Sequence, residues 1–133
     1  MKVKIYSDGG ARGNPGPAAI GAYIEDENGK KIKTISRYIG ETTNNQAEYQ
    51  ALLAGLNYVK DLKPEEIKCY LDSELVVKQL NGEYKVKDPD LAEQFIKIWN
   101  LQHEFKKIEF IHIPREKNKK ADMLVNVALD RRK

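Results

Sequence analysis

The sequence predicts an α/β fold built on a five-stranded mixed sheet: a three-strand antiparallel meander, two further parallel strands, and helices flanking them. Three observations predict it. Residues 2–40 alternate apolar and polar side chains in short stretches separated by turn chemistry. Near Asn45 the apolar period lengthens to that of a helix, and beyond Pro64 short strand-like and longer helix-like stretches follow one another. Hairpin neighbours run antiparallel, whereas strands joined through a helix return parallel, and this turns the element order into a topology.

Residues 2–7, 19–26 and 30–40 read as the three strands of the meander, with Asp26-Glu27-Asn28-Gly29 as the turn between the last two. A helix is expected over 45–60, with Leu52, Leu56 and Val59 on one stripe and Thr43, Asn44 or Asn45 as its cap. Residues 67–71 are the fourth strand, and 73–80 a short helix ending at Asn81-Gly82. Pro89 opens a longer helix carrying Leu91, Phe95, Ile98 and Trp99. Residues 108–113 are the fifth strand, stopped by Pro114, and 119–131 a last helix with Leu124, Val125, Ala128 and Leu129 on its apolar stripe and Asn118 as its cap.

A length of 133 residues without repeats, low-complexity tracts or a long linker predicts one domain over residues 1–133. No apolar run nears the roughly 18 residues that span a bilayer. With 23 Lys+Arg against 20 Asp+Glu the net charge is +3, too small a bias to diagnose a nucleic-acid partner by itself. The single cysteine, Cys69, excludes an internal disulfide and any zinc site of several thiolates. Together with an N-terminus that alternates like a strand and lacks the pattern of a secretory signal, this leads us to expect a cytoplasmic protein with no membrane partner.

In the expected topology strands one, three, four and five point the same way. Their carboxyl ends therefore share the sheet edge where open α/β folds usually bind ligands. Asp8 follows the first strand, Glu48 lies in the first turn of the helix after the third, Asp72 ends the fourth, and Asp122 lies in the first turn of the last helix. Singly, each has a local explanation: turn chemistry at Asp8-Gly9, a helix cap at Asp72, a capping box between Asn45 and Glu48, a helix dipole at Asp122. Jointly, four carboxylates at one place repel and need a cation, and Glu48 falls on the apolar stripe with Leu52. An all-oxygen donor set suits Mg²⁺ or Mn²⁺, and two such ions can align attacking water and leaving oxygen for phosphodiester hydrolysis. The glycines between Ser7 and Pro17 permit close backbone approach, but with no Gly-Lys-Ser/Thr ending and no helix directly after them they do not form a phosphate-binding P-loop. A bulged hairpin is the alternative reading of Gly13-Asn14-Pro15-Gly16.

The segments Ser7-Asp8-Gly9-Gly10-Ala11-Arg12-Gly13-Asn14-Pro15-Gly16, Thr42-Thr43-Asn44-Asn45-Gln46-Ala47-Glu48, Leu71-Asp72-Ser73 and Asn118-Lys119-Lys120-Ala121-Asp122, in this order, resemble the successive motifs of type 1 ribonuclease H across essentially the whole chain. The resemblance implies a metal-dependent endonuclease that cuts the RNA strand of an RNA/DNA hybrid, leaving 5′-phosphate and 3′-hydroxyl ends. It further implies Asp8, Glu48, Asp72 and Asp122 as ligands of two Mg²⁺ or Mn²⁺ ions, and Gly9, Gly10, Asn14, Thr43, Asn44, Asn45 and Ser73 as substrate contacts, in a monomeric enzyme. Thr43, Asn44 and Asn45 serve equally as helix caps, and the sequence leaves open which of them caps.

The chain departs from the family pattern in two places. Bacterial members insert a basic, Trp-containing protrusion where this chain has only Asn81-Gly82-Glu83-Tyr84-Lys85-Val86-Lys87-Asp88-Pro89, so few phosphates are neutralised there. The family's mobile-loop histidine corresponds by position to His112, which here alternates with Ile111 and Ile113 near the end of a strand. Arg115, just after Pro114, competes with it for the scissile phosphate or leaving group. Lys117, Lys119, Lys120, Arg131, Arg132 and Lys133 make the last helix either a solvated face or an electrostatic guide for nucleic acid. Two other readings remain from the residues: a non-cutting module for hybrid or double-stranded RNA, opposed by the presence of all four acids, and a transposase- or resolvase-like nuclease, opposed by the segments around Asn14 and Asn44.

Overall fold

The computed structural model describes residues 1–132, and Lys133 lies outside them. Its elements are β1 (Lys2–Ala11), β2 (Gly16–Asp26), β3 (Lys31–Thr42), α1 (Asn44–Val59), β4 (Glu66–Leu71), α2 (Glu74–Leu80), α3 (Pro89–Gln102), β5 (Ile108–His112) and α4 (Lys119–Arg131). The sheet order is β3-β2-β1-β4-β5, antiparallel on the β1–β2–β3 side and parallel from β1 through β4 to β5. This is the expected mixed sheet, and its central strand is β1.

Alternation along the strands makes the two faces of the sheet. Val3 and Ile5 of β1 sit in register with Ile67 and Cys69 of β4, and all four are buried with Leu52, Leu56 and Val59 of α1 and Leu91, Ile98 and Leu101 of α3. Each such fully buried aliphatic side chain contributes about 1.5–3 kcal/mol. Inside this layer the Tyr49 hydroxyl donates to Gln79 Oε1 at 2.6 Å, so α1 and α2 are joined by a satisfied polar contact. The opposite face is covered by α4, whose Val125, Ala128 and Leu129 pack on Ala19 of β2. Gly21 makes that packing close: a Cβ there would overlap the Ala121 carbonyl oxygen of α4.

Several boundaries differ from expectation, through strand pairing or helix capping. β1 continues past Ser7 to Ala11, because Asp8, Gly9, Gly10 and Ala11 pair with Gly21, Ile20, Ala19 and Ala18 of β2, which itself begins at Gly16. Asp8 therefore lies within a strand, paired with Gly21 of β2. α1 begins at Asn44 because Thr43 is its cap, with Oγ1 accepting from Gln46 N at 3.2 Å. Ser73, expected inside α2, is instead its cap, with Oγ accepting from Val76 N at 3.3 Å. β5 stops at His112, and a 3-10 turn, Arg115–Lys117, leads into α4.

Candidate active site

β1 and β4 are adjacent and parallel, and α1 crosses behind them, so their ends carry three carboxylates to one point. One oxygen each from Asp8, Glu48 and Asp72 lies within 4.8 Å of the others. Glu48 is only 6% exposed; its Oε1 accepts from Gly9 N at 3.2 Å, and its Oε2 is buried with no partner among the described residues. That contact depends on Gly9, where a Cβ would overlap the backbone carbonyl of Ala47. Glycine lets α1 lie directly on β1, and this proximity places Glu48 beside Asp8.

Burial is the main cause of a raised Asp8 pKa, pushed up to about 6, and the Asp72 and Asp122 charges raise it further. Burial likewise holds Glu48 well above the usual carboxylate range, with the neighbouring Asp8 and Asp72 adding to it. An orphaned buried carboxylate oxygen facing two other carboxylates has two remedies, a proton or a cation. The donors are hard oxygens from three acids, a set that fits a divalent metal ion.

A cleft of about 380 Å³ opens beside the cluster. Its lining includes Asp8, Gly9, Gly10, Asn44, Asn45, Glu48, Ser73, Arg115 and Asp122. Asp122 is half-buried in the first turn of α4 and accepts from Asn126 Nδ2 at 3.4 Å, outside the tight trio but on the same wall. Asn14 Oδ1 accepts from Asn44 N at 3.0 Å, while Asn44 Oδ1 accepts from Ala11 N at 2.8 Å. These two bonds clamp the β1–β2 hairpin to the start of α1, using the amide oxygens and leaving both NH₂ groups for a ligand. Thr43 and Ser73 spend their hydroxyls as caps.

The two competing residues separate. Arg115 lines the cleft, whereas His112 is exposed and lines a different hollow with Glu74, Lys78 and Asn81. Lys85 and Lys87 are exposed on the short connection before α3, away from the cleft lining. Sequence reasoning missed two residues of the cleft wall, Arg12, paired with Asp130 at 2.7 Å, and Asn126, one turn beyond Asp122, and behind the wall Asn118, whose amide reaches Asp72. The four-residue spacing of Asn118, Asp122 and Asn126 was the available signal, since it puts them on one side of a helix.

The family described as "Reverse transcriptase-like" matches residues 6–128. The N-terminal RNase H domain of Rv2228c from Mycobacterium tuberculosis, solved as a fusion with maltose binding protein, superposes with a TM-score of 0.94 at 41% identity, over 98% of this chain and 100% of that one. The chain belongs to the type 1 ribonuclease H family. The ribonuclease H1 of Halobacterium salinarum is equally similar, with a TM-score of 0.94 and 42% identity over 98% of both chains. LC11-RNase H1, from a compost metagenome and solved in complex with an RNA/DNA hybrid, has a TM-score of 0.92 and 50% identity over 96% of each chain. The chain spans about a third of the curated relative called Bifunctional protein Rv2228c, 36% of its length, at 43% identity. As a ribonuclease H, this chain has only residues 81–88 between α2 and α3, too short an interval for the basic protrusion.

Proposed function

We propose that this chain is an endoribonuclease that hydrolyses the RNA strand of RNA/DNA hybrids, using Mg²⁺ or Mn²⁺ with two ions when substrate is bound, and leaving 5′-phosphate and 3′-hydroxyl ends. One observation carries the reading: three carboxylates within 4.8 Å, one with a buried unpartnered oxygen, beside a cleft on the surface of a ribonuclease H. Asp8, Glu48, Asp72 and Asp122 would hold the ions. When bound, the ions supply charge neutralisation at the phosphate and a more acidic water.

The chain's own residues do the rest. The Asn14 and Asn44 amides and the Gly10 backbone on the cleft wall suit the wide, shallow minor groove of a hybrid, where the 2′-hydroxyl distinguishes RNA from DNA. Arg115 offers a guanidinium to a phosphate across the cleft. Every group named comes from one copy of the chain, which supports a monomeric catalytic domain over residues 1–133, and the lone buried Cys69 suits a cytoplasmic setting. The test is cleavage of an end-labelled hybrid under titration with Mg²⁺ and with Mn²⁺, with the product ends identified by phosphatase and ligase treatment. Failure of pure protein to cut with either ion rejects the reading.

A further inference from the structure

Asn118 occupies the cap position of α4, yet it makes no side-chain cap bond. It is 1% exposed, and its Nδ2 donates instead to the Ser7 carbonyl oxygen at 2.9 Å and to Asp72 Oδ2 at 3.0 Å. Its Oδ1 is left buried without a partner. Rotating the amide would set Oδ1 against two acceptors, so the orientation is fixed by what the NH₂ group reaches. Its own carbonyl accepts from Asp122 N at 3.1 Å. One residue thus ties β1 at Ser7, just before Asp8, to the carboxylate after β4 and to the turn that carries Asp122. Asparagine is among the strongest caps, and here that local role has given way to two contacts distant in sequence, one on β1 and one just after β4.

We infer that Asn118 is a positioning residue of the carboxylate cluster, holding Asp72 in the orientation that receives the divalent ion and fixing its place relative to Asp8 and Asp122. The inference rests on the metal-dependent reading above. Groups that orient a metal-binding carboxylate typically alter metal affinity or activity by about 10–100-fold when removed. Asn118 is buried and outside the cleft lining, so its contribution falls on ion binding and turnover and not on hybrid affinity.

The experiment compares wild type with Asn118→Ala, Asn118→Asp and Asn118→Ser. Mn²⁺ affinity is measured by calorimetry without nucleic acid, alongside melting temperature, kcat and KM on hybrid. Asp and Ser are good helix caps, so a mere capping role leaves both variants equal to wild type. The positioning role gives, in every variant that melts well above the assay temperature, a Mn²⁺ affinity and a kcat at fixed metal lower by about 10-fold or more, with KM within about twofold. Variants that bind Mn²⁺ and turn over like wild type overturn the inference while leaving the proposed function standing. Wild type that neither binds Mn²⁺ nor cuts hybrid overturns both. If Asn118→Asp fails to fold beside Asp72, Asn118→Ser decides the matter alone.

Discussion

At the residue scale the cluster places electrostatic strain and chemistry in the same atoms. Asp8→Asn removes a charge from a site where three carboxylates crowd within 4.8 Å, so the variant should melt a few degrees higher than wild type in chelator while losing cleavage by at least a thousandfold. Melting curves and single-turnover rates check both halves, and near-normal cleavage would remove Asp8 from the reaction. Arg115 and His112 make a second test, since only Arg115 lines the cleft. Arg115→Ala should raise KM and flatten the salt dependence of hybrid binding, because a guanidinium on a phosphate contributes to ground-state affinity. His112→Ala should change kcat and KM by less than twofold. Steady-state kinetics at two salt concentrations separates the cases, and a large kcat loss at His112 alone would reverse the assignment.

At the element scale, α1 lies on β1 only because position 9 is glycine. A Cβ at Gly9 would come within 2.5 Å of Glu48 N and closer still to the Ala47 carbonyl, with backbone on both sides and no side chain to yield. Gly9→Ala should therefore cost about 3 kcal/mol, roughly 10 °C in melting temperature, and should misplace Glu48. Gly10→Ala is the control: the nearest atom to its Cβ is Val125 Cγ1 at 3.8 Å, so thermal melting should be nearly unchanged. Equal melting of the two variants would contradict the close-approach argument. The same elements show what the sequence could reveal. The bounds of α4 were legible because periodicity, flanking Asn118 and Pro114 all agreed, and Glu48 stood out as a charge on an apolar stripe. The extension of β1 was not, because Asp8-Gly9-Gly10 has turn chemistry locally and becomes strand only through pairing with β2. Asn118 was read as a cap because capping preference is local, whereas its actual acceptors lie on β1 and just after β4, far away in sequence.

For the whole molecule, the cluster links stability to pH and to metal. The Asp8 pKa rises from 3.8 to about 6 on folding, so the folded state holds this proton more tightly than the unfolded chain does. Metal-free protein should therefore lose stability as pH climbs from about 4 through 6, and the raised Glu48 pKa acts in the same direction. A divalent ion that binds the folded state should restore stability at neutral pH. Melting temperature followed from pH 4 to 8, in chelator and in Mn²⁺, should show the two curves diverging as pH rises; parallel curves would contradict ion binding at these acids. In the proposed function the carboxylate edge and the Asn14–Asn44 clamp together make a cutter of RNA paired with DNA. A cleavage panel decides it, on one sequence as RNA/DNA hybrid, RNA duplex, DNA duplex and single-stranded RNA, each with Mg²⁺ or Mn²⁺ and with Asp8→Asn as control. Cuts are expected in the RNA strand of the hybrid, at least a hundredfold faster than in any other substrate and absent in the variant. Equal cutting of the DNA duplex, or cutting that survives Asp8→Asn, would contradict it.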